Sequence, residues 1–285
     1  MGTGRLTQPH RLMESPNRPN VAPHPAAPRH DDERVIVAEQ LVSLLAPDSF
    51  EADQYRSLRH GVERLRVMSG LHVLAVTSPA SGDGKSVTSL NLAGALAQSP
   101  DSNVLLIDAD CRRPSVGKYL GLSAHRALGL SDLLLHPEYD LSRAVLRLEK
   151  FNLSVLPAGP PQIAPYELLN SSRLDSILTD ARARYTFVLV DTPPVVALPD
   201  CRLIGRGVDG FLLIVAAHKT PRKLVEEAVA LLDPAKVIGV VLNGDDRPVQ
   251  GQYGYYYAPR ARTRHADRWR RFWNARNSDD ARHSR

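Results

Sequence analysis

Two cysteines in 285 residues, Cys111 and Cys201, are too few for a disulfide framework or a four-ligand zinc site. Both read as ordinary reduced thiols. Equally absent is any run approaching the roughly 20 apolar residues of a membrane-spanning helix, and the amino terminus has no apolar segment of the kind a secretory signal carries. The chain is therefore expected to work in the cytoplasm. Residues 1–34 lack apolar periodicity and carry Pro16, Pro19, Pro23, Pro25 and Pro28 among polar side chains, the composition of a disordered segment.

The chain as a whole is 43% apolar residues, enough for a substantial core. The formal net charge is +5, but residues 258–285 hold nine Arg against three Asp, +6 in that tail alone, which leaves the rest at −1. The basicity thus belongs to an appendage, and a nucleic-acid partner for the body of the protein is not expected.

From Val35 the pattern turns helical. "RVIVAEQLVSLL" is followed by "SFEADQYRSLRHGVERLRV", where Tyr55, Leu58, Val62 and Leu65 recur at three- and four-residue spacing, so two helices should precede the first strand. Six short aliphatic runs follow, at 71–78, 103–110, 153–159, 186–193, 210–217 and 236–243, separated by helical stretches. They are nearly all apolar rather than alternating, as strands covered on both faces are. Alternating strands and helices predict an α/β fold, a mostly parallel sheet with helices on both faces, whose ligands sit at the carboxyl ends of the strands. The expected division is a disordered segment at 1–34, one domain at 35–247, a tyrosine cluster at 248–259 and a basic tail at 260–285.

The first run ends at Ser78, "PASGDG" makes a turn, and Lys85 opens a helix through "SVTSLNLAGALAQ". Strand, glycine turn and helix are the context that a phosphate-binding P-loop requires. Gly82 and Gly84 leave room for backbone N–H groups of Ser81 to Val87, Asp83 included, to wrap phosphates, and the helix amino terminus adds partial positive charge. Lys85 would reach the β- and γ-phosphates of ATP, and the Ser86 hydroxyl would ligate Mg²⁺. The leading glycine of the usual pattern is missing, with Pro79 in its place.

Two further runs end in carboxylates. "VLLIDADCRRP" closes on Asp108 and Asp110, two residues apart and so on one side of the strand end, and "FVLVDTPPV" closes on Asp191. A hard divalent cation on a triphosphate calls for such oxygen ligands, several of them held through water. The fold expected is thus a single P-loop NTPase domain.

With these motifs the sequence resembles the bacterial tyrosine kinases of capsule and exopolysaccharide synthesis. "SPASGDGKS", "DADCRRP" and "DTPPV" match that family's three phosphate motifs, and "YGYYY" matches its carboxyl-terminal tyrosine cluster. The family tolerates Pro at position 79. The partitioning and septum-positioning ATPases share the sheet and the aspartates, but their loop carries a second lysine where Ala80 stands here.

The resemblance implies ATP-dependent autophosphorylation in trans on Tyr253, Tyr255, Tyr256 and Tyr257. Mg²⁺ would be held by Ser86, Asp108 and Asp191, and either Asp108 or Asp110 would accept the phenol proton. Asn243, at the end of the last run, is the candidate adenine contact. Family members form rings through an E-x-x-R-x-x-R helix, here "DQYRSLR" with Asp53, Arg56 and Arg59. The expected partners are copies of the chain itself, a transmembrane chain-length regulator that would place it at the inner face of the plasma membrane, and a tyrosine phosphatase. The tail "RARTRHADRWRRFWNAR" departs from the family, and its arginines and aromatics suit an anionic membrane surface or a contact with nucleic acid.

Overall fold

The computed structural model describes residues 37–122 and 128–245. The proline-rich start, the tyrosine cluster and the basic tail lie outside the described residues. The described chain runs α1 (Val42–Leu45), α2 (Phe50–Ser69), β1 (Val73–Thr77), α3 (Lys85–Ala97), β2 (Val104–Asp108), α4 (Val116–Tyr119), α5 (Leu130–Leu135), β3 (Leu146–Leu148) and β4 (Leu153–Leu156). It continues through α6 (Pro165–Leu169), α7 (Ser172–Arg184), β5 (Phe187–Asp191), α8 (Asp200–Ile204), β6 (Gly210–Ala216), α9 (Arg222–Leu231) and β7 (Val237–Asn243).

The seven strands form one sheet in the order β3-β4-β2-β5-β1-β6-β7. All neighbours are parallel except β3, which runs antiparallel to β4 at one edge. Every residue of β1, β2 and β5 is buried, which is why those runs carry no polar alternation. Successive side chains feed two separate cores. Val73 and Ala75 of β1 join Leu130, Ile177, Leu178, Ile204 and Ala228 on the face covered by α5 to α9. Leu74 and Val76 join Val62, Leu90, Leu92 and Leu96 on the face covered by α2 and α3.

The two early helices are present, though the first is shorter than the pattern suggests. Among its described residues only Val42–Leu45 is helical. The Asn91 side chain of α3 donates to the Gln40 carbonyl and accepts from the Ser43 N–H, and Ala38 N–H donates to the Tyr119 carbonyl, so this backbone is committed to neighbours rather than to its own turns. α2 begins cleanly because the Ser49 hydroxyl accepts from the Ala52 N–H, and it ends at Gly70 with φ of 72°. Val62 is buried, with Leu58 and Leu65 packed beside it. Among the described residues no helix is long and apolar enough to cross a membrane.

Candidate active site

The three phosphate motifs converge at the carboxyl edge around β1. In the parallel register Asp108 lies directly opposite Asp191, and Asp191 opposite Val76. One strand order therefore places both acidic strand ends beside the turn that follows β1.

That turn depends on its glycines. Gly82 and Gly84 have φ of 86° and 96°, values that side-chain-bearing residues rarely adopt. A Cβ at Gly84 would stand 1.9 Å from the Asn243 amide nitrogen. Asn243 is held there because its Nδ2 donates to the Asp83 carbonyl at 2.9 Å. Asp83 is buried and anchors the loop, accepting from the Ala80 N–H at 2.9 Å and from the Thr220 hydroxyl at 2.7 Å. Ser81 is exposed at the loop's tip, and Val87 packs into the core beneath it.

Below the loop is a connected set of hydroxyls and charges. Ser86 Oγ donates to Asp191 Oδ2 at 2.6 Å, and Ser89 Oγ reaches Asp191 Oδ1 at 3.1 Å. Ser115 Oγ donates to Ser86 Oγ at 2.8 Å. Lys85 Nζ lies 3.2 Å from Asp110 Oδ2. Asp108, fully buried, accepts from the N–H groups of Asp110, Ser115 and Val116 at 3.0–3.1 Å.

The electrostatics follow from crowding. Burial and the opposing Asp191 charge push the Asp108 carboxyl up to about 7, despite its three N–H donors. Burial raises Asp191 as well, although Lys85, Ser86 and Ser89 pull the other way. Burial works against the Lys85 ammonium, but the charges of Asp191, Asp110 and Asp108 outweigh it and hold its pKa above the ordinary range. Cys111, next along the chain, is pushed up to about 12 chiefly by burial, so it remains a neutral thiol.

Such a set suits a hard divalent cation shared with phosphate oxygens: one hydroxyl and two carboxylates, with water and ligand to complete the sphere. Among the described residues no group of three or more His, Cys, Asp or Glu could hold a metal ion unaided. The cradle above it, with two positive-φ glycines and a lysine at the start of a 13-residue helix, suits a polyphosphate.

A family profile for the AAA domain matches residues 71–202. The tyrosine-protein kinase YwqD of Bacillus subtilis (strain 168) is 33% identical over 218 residues, covering 76% of this chain and 90% of that protein. The chain belongs to the bacterial tyrosine-protein kinases. In this family it spans 30% of the longer tyrosine-protein kinase wzc of Salmonella typhi, at 32% identity over 76% of its own length. The kinase domain of the Escherichia coli tyrosine kinase ETK superposes with a TM-score of 0.68 at 29% identity, over 75% of this chain and 84% of that one. The septum site-determining protein MinD from Pyrococcus horikoshii OT3, solved with Mg-ADP, shares the fold alone, at 18% identity and a TM-score of 0.53 over 62% of this chain and 72% of that one. The tyrosine-kinase reading thus stands, and the positioning-ATPase alternative has only distant support.

Lys85, Ser86, Asp108, Asp110 and Asp191 come together as the sequence motifs imply. Asn243 also reaches the site, but against the loop backbone. Asp53, Arg56 and Arg59 lie apart on α2. Arg56 donates to Asp53 and to the Pro47 carbonyl, while Arg59 pairs with Glu63 at 2.7 Å and donates to the Ala95 carbonyl at 3.0 Å. Tyr253, Tyr255, Tyr256 and Tyr257 fall outside the described residues. Sequence reasoning missed Ser89, Ser115, Thr220 and the Arg112–Asp200 pair at 2.7 Å. Ser89 had a signal, four residues after Lys85 and so on the same helix face; Ser115 had none, and Thr220 stands in "KTPR", which resembles a family linking piece but points to no contact with the loop.

Proposed function

We propose that this chain is an ATP-dependent protein-tyrosine autokinase that phosphorylates the tyrosine cluster of a neighbouring copy and thereby regulates capsular or exopolysaccharide synthesis and export. The observation that carries this reading is the constellation of Lys85–Asp110 and Ser86–Asp191, with Asp108 beside it, under a glycine loop. It occurs in a chain 33% identical to a named tyrosine-protein kinase.

ATP would lie with its β- and γ-phosphates against the N–H groups of Ser81 to Val87. Ser86, Asp191 and Asp108 would hold Mg²⁺, whose chemistry there is to offset charge on the polyphosphate. Lys85 would exchange its Asp110 partner for the phosphates, which frees the Asp110 carboxylate. A tyrosine oxygen then forms its bond to the γ-phosphorus as the bond from that phosphorus to ADP breaks. The phenol's proton, with an ordinary pKa near 10, passes to Asp108 or Asp110. Asn243 uses its amide N–H on the loop, which leaves its Oδ1 to accept from the adenine amino group.

Around this centre we place a ring of copies joined through the face of Asp53, Arg56 and Arg59. A transmembrane chain-length regulator would stimulate ATP binding and hold the kinase at the inner face of the plasma membrane. A tyrosine phosphatase would reset the cluster, and the basic tail would rest on anionic lipid.

The test is incubation with labelled ATP and Mg²⁺, alone and with the membrane partner. Wild type should take up label on tyrosine, and both Lys85→Met and the chain with its four cluster tyrosines changed to Phe should not. Label retained by Lys85→Met would overturn the kinase reading, and ATP hydrolysis without protein labelling would favour a positioning switch.

A further inference from the structure

Lys85 is not the sole lysine at the phosphate loop. A Cβ built on Gly82 would stand 3.3 Å from the ammonium of Lys219, which arrives from the turn between β6 and α9. We propose that Lys219 is a second cationic contact for the nucleotide's phosphates, delivered from the side of the loop opposite the metal-binding carboxylates. This rests on the nucleotide reading above and adds to it a residue that none of the phosphate motifs contains.

The placement is built into the turn. His218 takes φ of 60°, the left-handed conformation, and the N–H groups of Lys219 and Thr220 both donate to the Ala216 carbonyl. The next side chain, Thr220, donates to Asp83 inside the phosphate loop at 2.7 Å. The turn carrying Lys219 is thus fastened to the loop it faces, through a carboxylate that also holds the Ala80 N–H. A lysine that only solvated the surface would need neither constraint. A side chain at Gly82 would crowd the ammonium and make it give way by a few tenths of an ångström.

The charge distribution says what such an ammonium is for. In the strand order, β5 and β2 lie on one side of β1 and bring Asp191, Asp108 and Asp110; β6 lies on the other side and brings Lys219. A polyphosphate in the loop therefore meets carboxylates and their metal on one flank and needs a cation on the other. Position 80 holds Ala and supplies none. Lys219 is exposed, as a group meant to meet a ligand entering from solvent must be.

The test measures binding, not turnover. Titration calorimetry with MgADP and with a non-hydrolysable Mg-ATP analogue would compare wild type, Lys219→Met, Lys219→Gln, Lys219→Arg and Lys223→Met, the last an exposed lysine on α9. Lys219→Met and Lys219→Gln should each bind both nucleotides roughly ten-fold more weakly, the loss of one charge-assisted contact, and the loss should shrink as salt rises. Lys219→Arg should recover most of it, and Lys223→Met should match wild type. Wild-type affinity in Lys219→Met and Lys219→Gln, or an equal loss in Lys223→Met, would overturn the role of Lys219 alone. A wild type that bound neither nucleotide would overturn the nucleotide reading itself.

Discussion

Asp108 is held between two opposing demands. Three backbone N–H groups fix its carboxylate, yet it is fully buried and faces Asp191 across the strand pair. Its carboxyl sits at about 7 when folded against 3.8 ordinarily, so the folded protein binds more protons than the unfolded chain between those values. Stability then falls as pH rises from about 4 through 7, and the whole cost, on the order of a few kcal/mol, is present above that. Asp191, also raised, adds to the same slope. The metal-free melting temperature is expected to drop between pH 5 and 8, and saturating Mg²⁺ should flatten the drop by supplying the missing positive charge. Asp108→Asn should flatten it too, without metal, whatever its effect on absolute stability. A metal-free profile that rose with pH would contradict this account.

At the scale of elements, the loop between β1 and α3 and the end of β7 form one unit through Gly84, Asp83 and Asn243. Gly84→Ala forces a methyl group onto the Asn243 amide and a side chain into positive φ, and it should cost about 1–3 kcal/mol in thermal melting and most of the nucleotide affinity. Adding Asn243→Gly removes the clash but not the backbone strain, so the double variant should recover only part of the loss. The elements themselves were legible to different degrees. β1, β2 and β5 read plainly because burial on both faces makes each an unbroken apolar run. β3 did not, because Leu-Arg-Leu is three residues on an antiparallel edge and carries no pattern long enough to see. The first helix was over-read, since an apolar period cannot show that Asn91, about 50 residues on, takes its backbone groups. The site divides in the same way. Lys85, Ser86 and the strand-end aspartates announce themselves by position relative to a strand, whereas Thr220 meets Asp83 across 137 residues. Lys219, next to it, stands in none of the phosphate motifs.

For the whole molecule the sheet order bears on where a phosphoryl group goes. β7 is the last described strand, at the edge beyond β6, while the carboxylates proposed to receive the phenol's proton lie beyond β1 on the other flank. Tyr253 follows Asn243 by ten residues, and such a length of chain spans at most ~35 Å, so reach alone permits a cluster to visit its own centre. In the strand order β6 and β1, with the phosphate loop that follows β1, stand between β7 and those carboxylates, a constraint that a neighbour's cluster does not share. Phosphorylation in trans is the expected outcome, and two inactive halves test it. The Lys85→Met chain keeps its tyrosines without the phosphate lysine, and the four-Phe chain keeps its site without acceptors. Mixed with labelled ATP and Mg²⁺, they should place label on the Lys85→Met chain, at a rate that rises with the concentration of the four-Phe chain. Lys219→Met built into the four-Phe chain should slow that labelling at limiting ATP and lose its effect as ATP saturates, because the residue binds phosphate without meeting the phenol. Labelling of the wild type at a rate per molecule that does not change on dilution, with none passing between the two variants, would place the transfer within one chain.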